Sequence, residues 1–268
     1  MDYKNLGIRT LSGAVLVAII VTATLPALDP TGYIFLAVFS LLSFFATREY
    51  MVINGATMRD AVCAGVGSLT LLVSVFIFMH NPFNLKMFAA YFGLMLILFV
   101  VELWKREGNA IDNSMRLALS QVYVAVPFAM MAVLREHGAL MFAVFVLIWT
   151  NDTFAYLTGS FLGRHRMFER ISPKKSWEGF AGGLIFALGG SAVLWKVFGE
   201  YELWQWMVIA LVVVVFGTLG DLLESQMKRI LGIKDSGHAI PGHGGWLDRF
   251  DSVIVATVAV NILLIICL

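Results

Sequence analysis

The sequence predicts an all-α, polytopic transmembrane helix bundle of about nine spans with a cytoplasmic N-terminus. Three observations predict it. Hydrophobic residues fill 59% of the 268 positions and charged ones only 14%, with a mean hydropathy of +0.83, values that exclude an ordinary water-soluble core. Nine apolar stretches, at roughly 11–28, 32–53, 62–80, 87–105, 117–134, 139–163, 179–198, 204–227 and 251–268, each approach the length a bilayer demands of a helix. With an inside start, sixteen of the nineteen Lys and Arg residues fall on the cytoplasmic side, leaving Lys86, Arg135 and Lys196 outside.

The elements follow in order. Lys4 and Arg9 precede the first stretch as they would a signal peptide, but it runs into Leu25-Pro26-Ala27-Leu28-Asp29 without a small-residue cleavage site, so an uncleaved helix is expected. Asp29-Pro30, Asn54-Gly55 and Asn81-Pro82 supply turns between spans. Arg48, Glu49 and Glu102 stand at span ends and read as interfacial or snorkelling charges. Trp104, Trp195, Trp204 and Trp206 read as an interfacial aromatic belt. Cys63 and Cys267 lie far apart in apolar runs, with neither a disulfide framework nor metal-ligand spacing. Residues 1–138 therefore form an N-terminal set of spans with little chemistry. Residues 139–268 form a C-terminal region whose polar loops face the cytoplasm.

Two stretches in that second region carry the chemistry. In 149–180, Asn151-Asp152 interrupts a long apolar run; an ionised Asp at mid-membrane costs about 2.5–3.5 kcal/mol, so Asp152 needs a polar cavity. Further on, Ser172 is expected to cap a helix that begins at Pro173, with Lys174 and Lys175 in its first turn, a good arrangement for phosphate. Gly179 and Gly183 are spaced for close helix contact.

The second stretch, 220–251, packs five acids, four bases and two histidines into thirty-two residues. Asp221, Glu224, Ser225 and Lys228 recur at i, i+3, i+4 and i+7 and share one helical face. An uncompensated Asp221 is unexpected at the membrane edge, so it should have a partner. Lys234 to Gly245, with Gly237, Pro241, Gly242, Gly244 and Gly245, predicts a tight loop whose amides can approach an anion. Asp248 and Asp251 follow on one face of the last span. Carboxylates on either side of a glycine-rich basic loop suit a divalent cation held against phosphate oxygens.

At these positions the chain resembles the phosphatidate cytidylyltransferase family. The pattern is carried by Ser225, Lys228, Arg229, Lys234, Asp235, Gly237, His243, Gly244, Gly245, Asp248, Arg249 and Asp251. Asn151, Asp152, Ala155, Tyr156 and Gly159, then Ser172, Pro173, Lys175 and Ser176, add two weaker motifs. Trp246 departs from the aliphatic residue or Phe usual there. The resemblance implies that CTP and phosphatidic acid of the cytoplasmic leaflet give CDP-diacylglycerol and pyrophosphate, in an inner-membrane protein that forms homodimers and has no nucleic-acid partner. It implies Asp221 and Asp248 as metal ligands, with Asp251 and Asp152 beside them, and Ser225 and Lys228 in the catalytic set. Ser172, Lys174, Lys175, Arg229, Lys234, Asp235 and Arg249 would meet substrate, with His243, Gly244 and Gly245 shaping the loop. For His243, ligand contact and structural support stay open.

Charge explains the cation. From Asp152 to Glu178 five bases face three acids, and from Asp221 to Asp251 four bases face five acids, a net of +1. A nucleoside triphosphate with a phosphate monoester brings more negative charge than that, so Mg²⁺ is expected, with room for a second cation. Two rival readings fit less well. A CTP-dependent polyprenol or phytol kinase would release CDP instead of pyrophosphate. A cation transporter would be expected to repeat its polar features in both halves, whereas here they crowd the second. The Asp-x-x-Asp-Gly-x-x-Ala-Arg pattern of CDP-alcohol phosphotransferases is missing.

Overall fold

Every one of the nine apolar stretches is mainly helical. The computed structural model describes residues 3–105, 109–237, 239 and 244–267. The helices are α1 Tyr3–Thr24, α2 Tyr33–Ile53, α3 Met58–His80, α4 Lys86–Val101, α5 Ala110–Ser120, α6 Val126–Arg135, α7 Leu140–Leu162, α8 Trp177–Phe198, α9 Leu203–Ile230 and α10 Asp251–Cys267. Six helical segments among the described residues are long and apolar enough to cross a membrane: 33–53, 58–80, 110–135, 140–162, 177–198 and 203–230. Three shorter apolar helices cover 10–24, 86–101 and 251–267. The protein is a multi-pass membrane protein.

The stretch expected at 117–134 is longer than its hydropathy suggests. It starts at Ala110, where Asn109 accepts a hydrogen bond from the Ile111 amide at 2.9 Å, and runs without a break to Arg135. Pro127 lacks the N–H that would close an α-helical turn. Just before it, residues Gln121–Ala125 form a π-helical turn that absorbs the mismatch.

Two compact units are distinguished. The first comprises Met1–Glu136 with Asp235–Arg249. Its core gathers Met51, Leu71, Tyr91, Met95, Leu117 and Ala129 from α2 to α6. At Gly65 of α3 a Cβ would stand 2.9 Å from the Phe44 carbonyl oxygen of α2, so the absent side chain is what lets the two backbones approach. Asp29, buried in the turn before α2, accepts from the Phe35 amide at 2.8 Å, and its own carbonyl accepts from the buried Arg135 guanidinium.

The second unit comprises His137–Lys234 with Phe250–Leu268. Here α8 packs along α7, and the two glycines expected to permit it do so. A Cβ on Gly179 would lie 2.8 Å from the Ala155 carbonyl oxygen, and one on Gly183 would lie 2.8 Å from that of Asn151. Glu200, before α9, accepts from the Ala139 amide at the start of α7 at 2.9 Å.

The turn between α7 and α8 corrects one expectation. Ser172 caps no helix, and Pro173 does not begin one. Residues Arg166–Phe168 (β1) and Ser172–Ser176 (β2) form an antiparallel ribbon, with Arg166 opposite Ser176 and Phe168 opposite Ser172. Pro173 is tolerated because a two-stranded ribbon leaves one side of each strand without a partner that needs its N–H. The helix starts at Trp177, and Ser176 caps it by accepting from the Gly179 amide at 3.1 Å. The Trp177 amide donates to the His165 carbonyl at 3.0 Å. Two of the first-turn amides, those of Trp177 and Gly179, are thus used internally.

Candidate active site

Within the second unit, α7, α8, α9 and the ribbon enclose a half-open cavity of about 220 Å³. Helix α7 contributes Asn151 and Asp152, β2 contributes Lys174 and Lys175, and α9 contributes Thr218 and Asp221. The partner that Asp221 required is Lys175, whose ammonium stands 2.6 Å from its Oδ2. Its Oδ1 accepts from the Ser225 hydroxyl at 3.1 Å, the i, i+4 contact that the shared helical face predicts. Asp152 accepts from the Asn151 amide group at 3.2 Å and lies within electrostatic reach of both Asp221 and Lys175. Asn151 Oδ1 is buried without a hydrogen-bond partner.

A second acidic pair lies one turn further along α9. Glu224 and Asp251 lie within electrostatic reach of each other, Asp251 Oδ1 accepts from its neighbour Ser252 N at 2.6 Å, and the Lys228 ammonium is 3.3 Å from Glu224. Around α9 four carboxyls therefore meet three lysines, Lys174, Lys175 and Lys228, an excess of one negative charge that favours a further cation. The tight approach of α10 here depends on Gly220, where a Cβ would stand 2.5 Å from the Asp251 carbonyl oxygen. Gly220→Ala is expected to cost about 1–3 kcal/mol by forcing the helices apart. The readout is the midpoint of thermal unfolding in detergent, and an unchanged midpoint would deny the close contact.

The polar loop of 235–249 belongs to the first unit and is built around two carboxylates. Asp248, buried, accepts on Oδ2 from the amides of Ser236 and Gly245, each at 2.9 Å. Gly244 makes this possible: its φ is +81°, and a Cβ would sit 2.6 Å from that same oxygen. Glu49, at the end of α2, accepts from the amides of Trp246 at 3.0 Å and Leu247 at 3.1 Å, and from the Ser236 hydroxyl. Trp246, the departure from the family pattern, stacks on Phe45 of α2 with ring centroids 5.7 Å apart. Glu49 is thus no snorkelling charge. It turns inward because the loop offers a row of amides with no other acceptor, and its signal in the sequence was an acid at a span end paired with a distant glycine-rich loop.

The expected site residues sort accordingly. Asp152, Lys174, Lys175 and Asp221 share one cavity, with Ser225 joined to it through Asp221. Ser172 is half-buried in β2 and does not line it, and Arg229 and Lys234 are exposed beyond the α9 cavity face. Arg229 donates to the Ile233 carbonyl at 3.3 Å. In the first unit, Gly245 and Asp248 are buried, while Asp235 and Arg249 are exposed. His243 lies outside the described residues. Asn151, Ser176 and Glu49 are the additions that geometry makes to the expected set.

Among the described residues, no three His, Cys, Asp or Glu side chains converge as a ready-made metal cage. Mg²⁺ does not need one, since it keeps several waters and is commonly held by one or two carboxylates plus substrate phosphates. The Asp152 and Asp221 carboxylates, the Ser225 hydroxyl and the free Asn151 Oδ1 are the hard oxygen donors such an ion prefers, and Lys175 already stands as a cation at Asp221. The donor set fits.

A model of the cytidylyltransferase family matches residues 7–267. The chain belongs to that family. Its similarity to family members extends beyond the motifs. It is 35% identical over 265 residues to a phosphatidate cytidylyltransferase of Staphylococcus saprophyticus, covering 96% of this chain and 98% of that protein. A Staphylococcus aureus protein of the same name is 34% identical over 266 residues, with the same coverage. One from Staphylococcus haemolyticus reaches 39% over 173 residues, 63% of this chain.

Proposed function

We propose that this cytidylyltransferase-family protein is a phosphatidate cytidylyltransferase, making CDP-diacylglycerol and pyrophosphate from CTP and phosphatidic acid. The observation that carries this is the Lys175–Asp221 pair, 2.6 Å apart, in a cavity that also holds Lys174 and Asp152. That pairing of a lysine with a carboxylate supports adjacent phosphate and cation binding. The full-length similarity to proteins named for this reaction supports the choice of substrates.

An oxygen of the phosphatidate phosphate attacks the α-phosphorus of CTP, forming the new pyrophosphate link of CDP-diacylglycerol. The bond from the α-phosphorus to the bridging oxygen of the β-phosphate breaks, and pyrophosphate leaves with that electron pair. A phosphate monoester has its second pKa at about 6, so the nucleophile is already ionised and no side chain need act as a strong base. The protein's task is positioning and charge neutralisation. Lys174 and Lys175 bind phosphate oxygens, Lys175 exchanging Asp221 for substrate. Asp221 and Asp152 would hold Mg²⁺, with Asp251 beside them, while Asp248, which the resemblance names as a ligand together with Asp221, belongs to the other unit; when bound, the ion would neutralise charge on the nucleotide's phosphates. Ser225 keeps Asp221 oriented. Asp248 also fixes the loop through the Ser236 and Gly245 amides.

The excess of basic loops on one side supports a cytoplasmic N-terminus and a site at the inner leaflet of the cytoplasmic membrane, where CTP is available. The test is a purified-protein assay with CTP labelled at the α-phosphate and phosphatidic acid in mixed micelles, with and without Mg²⁺. Label is expected in the lipid product together with pyrophosphate. Release of labelled CDP would instead indicate γ-phosphoryl transfer. Lys175→Ala is expected to lower kcat/KM for CTP by about tenfold to a hundredfold, the loss of one charge-assisted contact; an unaltered value would remove Lys175 from the phosphate site.

A further inference from the structure

The β1–β2 ribbon has two sides, and only one of them faces the polar cavity. Met167 lines that cavity, whereas its neighbour Phe168 lines an apolar groove of about 320 Å³. Helix α9 divides in the same manner. Thr218, Asp221 and Ser225 form its polar stripe, while Leu219, Leu222, Leu223 and Gln226, at i, i+3, i+4 and i+7, form the adjacent stripe that lines the groove. Ile171 at the ribbon turn and Val255 of α10 complete it. Phe168, Leu219 and Leu223 are 45–46% exposed, large apolar side chains around a concave space.

We infer that this groove holds an acyl chain of the phosphatidate substrate, so that Phe168, Ile171, Leu219 and Leu223 select the lipid by its tail. The inference rests on the proposed function and names the tail subsite for it. Proximity on two shared elements points to the occupant. Groove and cavity are lined by consecutive residues on the same two elements, Met167 and Phe168 on the ribbon and Thr218 and Leu219 on α9. A ligand with an anionic head at Lys174 and Lys175 and a hydrocarbon tail passing the ribbon edge matches both surfaces. CTP matches only the first.

The test separates the tail subsite from the reaction. Phosphatidic acid with a photoactivatable diazirine in one acyl chain is incorporated into phosphatidylcholine nanodiscs with the whole protein, and adducts are mapped by mass spectrometry. Adducts are expected in 166–176 and 215–230, suppressed by excess unlabelled phosphatidic acid and lost in Leu223→Trp, which fills the groove. In the kinetic arm, Leu223→Trp is expected to raise KM for dioleoyl phosphatidic acid about tenfold while leaving KM for CTP and turnover of dihexanoyl phosphatidic acid unchanged. Adducts spread evenly over the helices, cross-links to a second copy of the chain, or equal effects on long and short chains would each overturn the subsite. Groove adducts in a protein that produces no pyrophosphate would keep the subsite and refute the proposed reaction.

Discussion

Asp221→Asn is expected to reduce turnover on the order of 10³-fold while leaving the protein folded and the membrane fraction undiminished. The substitution is isosteric, so the hydrogen bond from Ser225 and the packing of α9 survive. What disappears is the negative charge that now holds the Lys175 ammonium at 2.6 Å. That charge has two uses in the proposed reaction: it fixes Lys175 before substrate arrives, and it anchors the cation once Lys175 turns to phosphate. Losing it should therefore weaken the response to Mg²⁺ as well as the maximal rate. The measurement is the rate of labelled CDP-diacylglycerol formation across a Mg²⁺ titration. Asp248→Asn is likewise isosteric and keeps one oxygen for the Ser236 and Gly245 amides, both of which bond Oδ2, so a comparable loss of turnover would report the missing charge. Full activity of either variant would refute the metal assignment for that residue.

How far the sequence alone reached follows the range of the interactions involved. Ser225 and Asp221 are four residues apart on a helix, so their contact is written in local periodicity, as are the apolar stretches and the close packing at Gly179 and Gly183. That Asp221 needs a partner was legible from the cost of a lone carboxylate near hydrocarbon. That the partner is Lys175 was not, because the pair spans two elements joined only by tertiary packing. The ribbon was hidden for another reason. Its second strand reads Ser-Pro-Lys-Lys-Ser, without the alternating apolar residues that mark a strand, and Ser-Pro followed by a helix suggests a cap. The actual cap, Ser176, lies four residues later.

Glu49 shows the same limit more sharply, and its removal is the second large effect expected. Glu49→Ala takes away the acceptor for the Trp246 and Leu247 amides and the Ser236 hydroxyl, three donors that then lack their partner. Each buried donor left without an acceptor costs about 1–3 kcal/mol. The two glycines facing the carboxylate, Gly237 and Gly245, leave no side chains to fill the space, so the loop must shift or take in water. Asp248 depends on that loop, since its carboxylate is oriented by amides of the same segment. Turnover is accordingly expected to fall on the order of 10²-fold or more, through kcat much more than through KM for CTP. Hydrogen exchange of the Gly245–Leu247 amides should accelerate in parallel. Glu49→Gln retains one acceptor oxygen and should fall between the variant and the native protein on both measures. If Glu49→Ala keeps native turnover and native amide protection, the loop owes its shape to something other than this carboxylate.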